Sequence, residues 1–258
     1  MHAIRPRIKS LPLDLTNSLT LPLSPRIDME HPFSRSGWKR EEDPSWQAFY
    51  GYWSTQNFDD VFNRDVIPLA CNGLGLEHVE HRLSRLLGTS GQILVRQSYR
   101  HIFTEACDLQ SWFPGRRVLV NGQPGTGMLR HSFARVHIHS HICLGKTTWL
   151  WFALVCLMAK GKSVVCFIDG ETRLFHGGCV YAQKSEYSQV PNVESLWILI
   201  DVDSSCGLPP ECLVGGDVWG FRIQTCSPFE KPCGTWVEAN RPAVYGMPLW
   251  GEAEIIEG

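Results

Sequence analysis

The segment Arg117-Val118-Leu119-Val120-Asn121 leads directly into a glycine-rich run, Gly122-Gln123-Pro124-Gly125-Thr126-Gly127. A second segment, Lys146-Thr147-Thr148, leads into the apolar run Trp149–Ala159, and residues 128–145 separate it from the first. The first segment is short and β-branched, which is typical of a buried strand. The apolar run is shorter than the ~20 residues that span a bilayer, so it predicts a buried helix. The order is therefore strand, glycine-rich loop, interruption, helix.

The two segments together contain the residues of a phosphate-binding P-loop, whose pattern is Gly, four residues, Gly, Lys, then Ser or Thr. Glycines let backbone N–H groups surround phosphate, lysine neutralises its oxygens, and the hydroxyl ligates magnesium. The start of the following helix also favours an anion. No contiguous stretch matches, but removing residues 128–145 gives a full match. The predicted phosphate-binding residues are Gly122, Gln123, Pro124, Gly125, Thr126, Gly127, Gly145, Lys146, Thr147 and Thr148.

The 18-residue insertion, 128–145, has neither helical nor core-like periodicity and contains four of the ten histidines. It is in frame, and Gly127-Met128 and Leu144-Gly145 can be encoded with GT and AG splice signals. We therefore hypothesise that it is a translated short intron. The genomic coding sequence tests this, because absence of GT and AG at these borders would exclude it.

Two alternatives for the insertion stay open. His137, His139, His141 and Cys143 alternate and would line one face of a strand, and His with Cys are zinc ligands, although the usual paired spacing is not met. Alternatively, residues 134–139 form the strand and Ser140 to Thr147 form a working loop. That loop would place non-glycine residues where positive φ is wanted, at ~1–3 kcal/mol each.

A second apolar strand ends in carboxylates, at Leu196-Trp-Ile-Leu-Ile-Asp201-Val-Asp203. A P-loop requires such a partner to hold magnesium and polarise the attacking water. We predict Asp201 as the magnesium-side carboxylate, with Thr147 as the other metal ligand, and Asp203 as the general base. Asp201 is expected to end the strand next to that of residues 117–121, close to Lys146. Asp169, at the end of Ser163–Asp169, is a rival in second-strand position and ranks below Asp201.

Four short apolar strands are predicted, at 117–121, 163–169, 196–201 and 221–225. Because they lack alternation, they predict an α/β fold with a parallel sheet covered on both faces. Helices are predicted at 65–87, 92–112 and 147–160. The predicted organisation is a disordered leader (1–45), an aromatic and helical flank (46–115) whose aromatic residues at 46–62 could dock on the core, and a P-loop core (116–258).

Composition excludes several classes of protein. Hydrophobic residues make up 43% and charged residues 19%, which is typical of a globular chain. The net charge of −2 predicts no broad nucleic-acid-binding face. Ten cysteines without a Cys-x-x-Cys pair favour a reduced intracellular protein with free thiols. No signal peptide or membrane-spanning segment is predicted.

Beyond the loop and the acidic strand, three further segments complete a resemblance to fungal P-loop proteins grouped with the Crinkler-type and retrotransposon hot spot-like families. They are Ile93-Leu-Val-Arg96 with Tyr99, Ser227-Pro228 with Trp236, and Met247-Pro-Leu-Trp250. The resemblance covers roughly residues 60–258. It implies an AAA/STAND-like ATPase core and a polar γ-phosphate sensor near Gln224–Pro228. The chain departs from it in the split loop and in ending at Gly258, where a helical lid would begin.

These observations predict binding and hydrolysis of ATP with Mg²⁺, impaired by the split loop. The alternative is a non-catalytic pseudo-ATPase or interaction module, with a protein partner or self-association. No base-reading motif distinguishes ATP from GTP.

Overall fold

A mixed sheet with helices on both faces organises the chain. The computed structural model describes residues 33–69, 91–122, 144–185, 188–202, 209–215, 218–226 and 231–248, all within one compact unit, Pro32–Gly258. The strands are β1 (Trp38–Arg40), β2 (Val66–Pro68), β3 (Gln92–Leu94), β4 (Arg117–Asn121), β5 (Val164–Ile168), β6 (Glu171–His176), β7 (Cys179–Gln183), β8 (Trp197–Asp201), β9 (Phe221–Cys226) and β10 (Ala243–Gly246). The helices are α1 (Pro44–Ser54), α2 (Phe58–Phe62), α3 (Gln97–Trp112), α4 (Leu144–Ala159), α5 (Glu211–Val214) and α6 (Lys231–Asn240), with a short 3₁₀ turn at Ser34–Ser36.

Eight strands form the main sheet, in the order β1-β7-β6-β5-β8-β9-β4-β10. From β5 to β10 all neighbours are parallel, and from β5 to β1 they are antiparallel. We call these two parts the parallel half and the antiparallel extension. The predicted α/β class with a parallel sheet is confirmed for the parallel half, and the four predicted strands are β4, β5, β8 and β9.

Helix α4 explains the apolar run of the sequence. Its residues from Trp149 to Met158 are all buried. The helix contacts β5, β8 and β9 on one side and α1, α2 and α3 on the other. A helix enclosed in this way is apolar all round. The predicted buried helix is confirmed, and among the described residues no helix is both long and apolar enough to cross a membrane.

The sheet separates two hydrophobic clusters. One contains α4 with the aromatic residues of α1, such as Trp46 and Trp53. The other lies on the opposite face and includes Leu213 of α5 and Trp236 of α6. Crossovers between parallel strands are right-handed. The connection from β4 to β5 and that from β9 to β10 run in opposite directions along the sheet, so their helices lie on opposite faces.

Two tight hairpin turns close the antiparallel extension. Asp169 and Gly170 join β5 to β6 with φ of 57° and 74°, and Gly177 and Gly178 join β6 to β7 with φ of 58° and 79°. Two-residue loops with positive φ at both positions match the twist of antiparallel strands. The extension is not predicted from sequence, because its strands lie within the connection between two predicted parallel strands.

Two predicted helices are wrong at their beginnings. Val66–Pro68 form β2, which pairs with β3 at Gln92–Leu94, where the periodicity indicated helices at 65–87 and 92–112. Val66 and Ile67 are β-branched, and Ile67 and Ile93 are fully buried opposite one another. Burial in this strand pair therefore outweighs the helical spacing of the sequence. Helix α3 begins only after Arg96, whose backbone is extended. Residues 70–87 of the first predicted helix lie outside the described residues.

Ordered structure begins earlier than the predicted boundary at residue 46. Trp38–Arg40 pair with β7, and Trp38 is buried with its indole N–H donating to the carbonyl of Gln189 at 2.8 Å. A buried tryptophan in the sheet is incompatible with disorder at this point. The rest of the predicted leader, 1–32, lies outside the described residues. The aromatic residues of 46–62 dock on the core as expected.

The cysteines only partly match the predicted free thiols. Free thiols are present at Cys107, Cys156, Cys166, Cys179 and Cys212. Burial raises the pKa of Cys166 to about 12, so this thiol stays protonated and inert at neutral pH. The prediction of free thiols is wrong at Cys226, which is disulfide-bonded.

Candidate functional site

The split P-loop residues meet at the carboxyl end of β4. That strand ends at Asn121 and is followed by Gly122, while Gly145, Lys146 and Thr147 lie in the first turn of α4. The helix begins at Leu144, three residues before the predicted opening at Thr147. Thr148 is half-buried on the same turn. Strand, loop and helix thus follow the predicted order.

The Lys146 ammonium group lies against the first half of the loop. It is 2% exposed, and its Nζ donates a hydrogen bond to the carbonyl oxygen of Gly122 at 3.0 Å. The insertion therefore does not separate these two groups. Opposite charges attract strongly in a low-dielectric setting, so this buried side chain is well placed to contact an anion.

The Asp201 carboxylate accepts two hydroxyl hydrogen bonds. Thr147 Oγ1 donates to Asp201 Oδ2 at 2.7 Å, and Thr225 Oγ1 donates to Asp201 Oδ1 at 2.7 Å. Asp201 and Thr225 are paired in register at the ends of β8 and β9, and all three side chains are buried. A hydroxyl and a carboxylate are thus held together one residue from the buried ammonium.

The predicted position of Asp201 needs one correction. The sequence places it at the end of the strand next to β4, but β9 lies between β4 and β8. The contact with Thr147 forms nevertheless, because α4 connects β4 to β5 and passes over β9 and β8. The crossovers that leave β4 and β9 run past each other on opposite faces of the sheet, and ligands of open α/β sheets bind outside the carboxyl ends of the strands.

Asp169, the rival acidic strand end, has a structural explanation. With Gly170 it forms the turn that joins β5 to β6. Asp is well suited to this turn, because its short polar side chain tolerates a left-handed backbone. Ranking Asp169 below Asp201 is consistent with this geometry.

Several predicted site residues lie outside the described residues. They are Gln123, Pro124, Gly125, Thr126, Gly127 and Asp203, together with the zinc candidates His137, His139, His141 and Cys143. Residues 134–139, the alternative strand, also lie outside. The position between β9 and β10 that a central P-loop strand would take is filled by β4.

The described donor set fits Mg²⁺ better than zinc. Thr147 and Asp201 offer a hydroxyl and a carboxylate, which are hard oxygen ligands. Mg²⁺ prefers such ligands and retains several waters, so it needs few protein groups. Zinc would require several His or Cys ligands, and the described part of the chain contains no group of three or more His, Cys, Asp or Glu side chains that could hold a metal.

Three residues near the site were not among the predicted phosphate, metal or catalytic residues, although Gln224 and Thr225 lie in the stretch expected to hold a γ-phosphate sensor. Thr225 is the second partner of Asp201. Tyr99 donates its hydroxyl hydrogen to the Gly145 carbonyl at 3.1 Å. Gln224 is buried, and its Oε1 lacks a hydrogen-bond partner among the described residues. Thr225 and Gln224 could be found from the sequence, because they are two polar residues at the end of an apolar strand. The role of Tyr99 is visible only from long-range packing.

Comparison of the chain with protein-family models, with curated proteins and with solved structures finds no match in any of the three.

Proposed function

We propose that this chain is a magnesium-dependent P-loop nucleoside triphosphatase core that uses ATP, and that the insertion weakens its phosphate site. The observation that carries the proposal is the contact between Thr147 Oγ1 and Asp201 Oδ2 at 2.7 Å. It brings together the last residue of the loop pattern and the carboxylate at the end of a separate strand, 54 positions apart in sequence. The pair lies at the carboxyl ends of parallel strands, where open α/β sheets bind their ligands.

Each residue has a proposed role in this site. Lys146 exchanges the Gly122 carbonyl for phosphate oxygens and neutralises their charge. Thr147 and Asp201 would hold Mg²⁺, which would supply positive charge against the phosphates. Asp203 accepts the proton of the attacking water as general base. Gly122, Gly125 and Gly127 provide backbone N–H donors to the phosphates.

The weakening concerns the donors between the two halves of the loop. Gly122 and Lys146 stay in contact despite the insertion, so the loss falls on the backbone N–H groups that should lie between them. About three charge-assisted hydrogen bonds at ~1.5–3 kcal/mol each are involved. A total loss of about 5 kcal/mol turns micromolar binding into binding weaker than millimolar.

A second function, a non-catalytic pseudo-ATPase or interaction module, is favoured by one observation. The polar groups of the site satisfy one another, because Lys146 bonds to Gly122 and both oxygens of Asp201 accept threonine hydroxyls. A site whose buried polar groups are already paired is stable without nucleotide. Under this function the site would stabilise the fold only.

The proposed magnesium ligands can be tested in a chain that lacks residues 128–145. Calorimetric titration of that chain should show tighter binding of ATP with Mg²⁺ than with EDTA. Thr147→Val should remove this difference, because the hydroxyl ligand is lost. Thr172→Val is the control, since Thr172 is buried in β6 of the antiparallel extension. Binding that is independent of Mg²⁺, or equal effects of the two variants, would contradict the assignment.

A further inference from the structure

Arg96 and Tyr99 lie in one of the segments that carry the family resemblance, but they are not among the predicted phosphate and metal ligands. Both lie at the beginning of α3 and are almost fully buried, with 3% and 1% of their surfaces exposed. A buried guanidinium and a buried phenol each require hydrogen-bond partners. Their partners lie next to the two halves of the P-loop.

Tyr99 fixes the second half of the loop. Its hydroxyl donates to the carbonyl of Gly145 at 3.1 Å, and its own carbonyl accepts a hydrogen bond from Trp149 Nε1 at 3.2 Å. Gly145 and Trp149 are four residues apart, one turn along α4. Two bonds to successive turns set the position of the first turn of α4, and therefore of Lys146, which follows Gly145 directly.

Arg96 connects the same tyrosine to the first half of the loop. Its Nη1 donates to the carbonyl of Pro248 at 3.0 Å, and its guanidinium lies 5.9 Å from the centre of the Tyr99 ring, within cation–π range. The residue before Pro248, Met247, donates its backbone N–H to the carbonyl of Asn121 at 2.6 Å. Asn121 directly precedes Gly122.

These contacts form a closed circuit behind the loop. It runs from Asn121 through Met247, Pro248, Arg96 and Tyr99 to Gly145, and the bond between Lys146 and Gly122 completes it. All its members are outside residues 123–143, so the circuit is independent of most of the insertion. When residues 128–145 are deleted, Gly127 takes the place of Gly145 and offers the same carbonyl.

We propose that Arg96 and Tyr99 are positioning residues that hold the two halves of the phosphate loop in register, an inference that rests on the proposed nucleotide site. They act through Gly145 and Asn121 and do not touch the nucleotide. The N-terminal flank, α3 in particular, thereby becomes part of the nucleotide site.

The test uses Tyr99→Phe in the chain that lacks residues 128–145, with Tyr50→Phe as matched control. Tyr50 is buried in the same cluster, and its ring packs 5.7 Å from that of Phe175 in β6 of the antiparallel extension. We expect Tyr99→Phe to weaken Mg-ATP binding about fivefold, the value of one buried hydrogen bond. Arg96→Met should weaken it at least as much. Tyr50→Phe should lower the melting temperature without changing the dissociation constant.

A nucleotide-free measurement separates this inference from the proposed function. Amide hydrogen exchange at residues 145–148 of the full chain should accelerate in Tyr99→Phe and stay unchanged in Tyr50→Phe. If the deletion chain binds Mg-ATP but both tyrosine variants affect binding equally, the positioning role is wrong and the proposed function stands. If the deletion chain does not bind and exchange is accelerated only in Tyr99→Phe, the proposed function is wrong and the positioning of the loop remains. Equal exchange in both variants overturns the positioning role in either case.

Discussion

Asp201 and Asp169 both lie at the carboxyl ends of fully buried strands of one sheet, yet their surroundings differ. Asp201 ends β8 in the parallel half and is 5% exposed, with hydroxyls of two other elements bonded to its carboxylate. Asp169 follows β5 where the sheet becomes antiparallel, and it forms a hairpin turn. A parallel strand must send its chain across the sheet, which leaves a crevice at its carboxyl end, whereas a hairpin closes that end.

The charged groups of the parallel half and of the antiparallel extension also differ in their surroundings. In the antiparallel extension, Arg173 pairs with Glu41 at 2.9 Å and with Glu171, and its guanidinium lies 4.1 Å from the ring centre of Trp46. Its partners surround it, so the group stabilises the fold. In the parallel half, the Lys146 ammonium bonds to a backbone carbonyl, and in the proposed function it exchanges this bond for phosphate.

The largest effect on stability is expected at Trp46, which contacts both α4 and the antiparallel extension. Its ring stacks on Trp151 of α4 and contacts Phe175 of β6. Trp46→Ala should lower the free energy of unfolding by about 3–5 kcal/mol, as measured by urea denaturation. Trp112→Ala is the control, because Trp112 is 78% exposed and should change stability by less than about 0.5 kcal/mol. Similar losses in the two variants would show that Trp46 is not a core contact.

The two aspartates give the sharpest functional contrast. In the chain lacking residues 128–145, Asp201→Asn should weaken Mg-ATP binding by about 1.5–3 kcal/mol, because a charged partner of the metal and of Thr147 is lost. Asp169→Asn should leave binding unchanged, since Asn also tolerates the left-handed turn. Calorimetric titration measures both. A loss of binding in Asp169→Asn would restore the rival assignment.

The smallest effects concern two glycines with open space where a Cβ would lie. Gly178 has φ of 79° in the β6–β7 turn, so Gly178→Ala should destabilise the protein by about 1–2 kcal/mol through backbone strain. Gly51 lies within α1, and Gly51→Ala should stabilise it by about 0.5–1 kcal/mol. Thermal unfolding without nucleotide distinguishes the signs. Stability changes of the same sign in the two variants would contradict the backbone geometry of the turn.

Much of the parallel half could be predicted from sequence, because its signals are local. Residues 117–121, 196–201 and the apolar helix carry strong patterns, and the loop residues have fixed spacing. The contact between Thr147 and Asp201 follows from the same chemistry. The strand order cannot be predicted in this way, because a crossover can pass over one strand or several with the same local sequence.

The antiparallel extension and the Arg96–Tyr99 circuit depend on long-range packing. Residues 92–94 have helical spacing but pair with β2, since Ile93 and Ile67 are buried together. Trp38 lies in a segment whose composition indicated disorder, yet it pairs with Gln183 of β7, and its indole N–H donates to the carbonyl of Gln189, 151 positions away. No local sequence pattern identifies such distant partners. Sequence alone therefore predicts the candidate site residues but not the helices and strands that position them.

The deletion of residues 128–145 tests the central claim most directly. Thermal unfolding should be followed with and without Mg-ATP for the full chain, the deletion chain, and the deletion chain carrying Lys146→Ala. We expect the deletion chain to gain about 2.7 kcal/mol at a nucleotide concentration 100 times its dissociation constant, and the other two chains to gain almost nothing. Micromolar binding by the full chain, or a deletion chain that does not respond to Mg-ATP, would contradict the account.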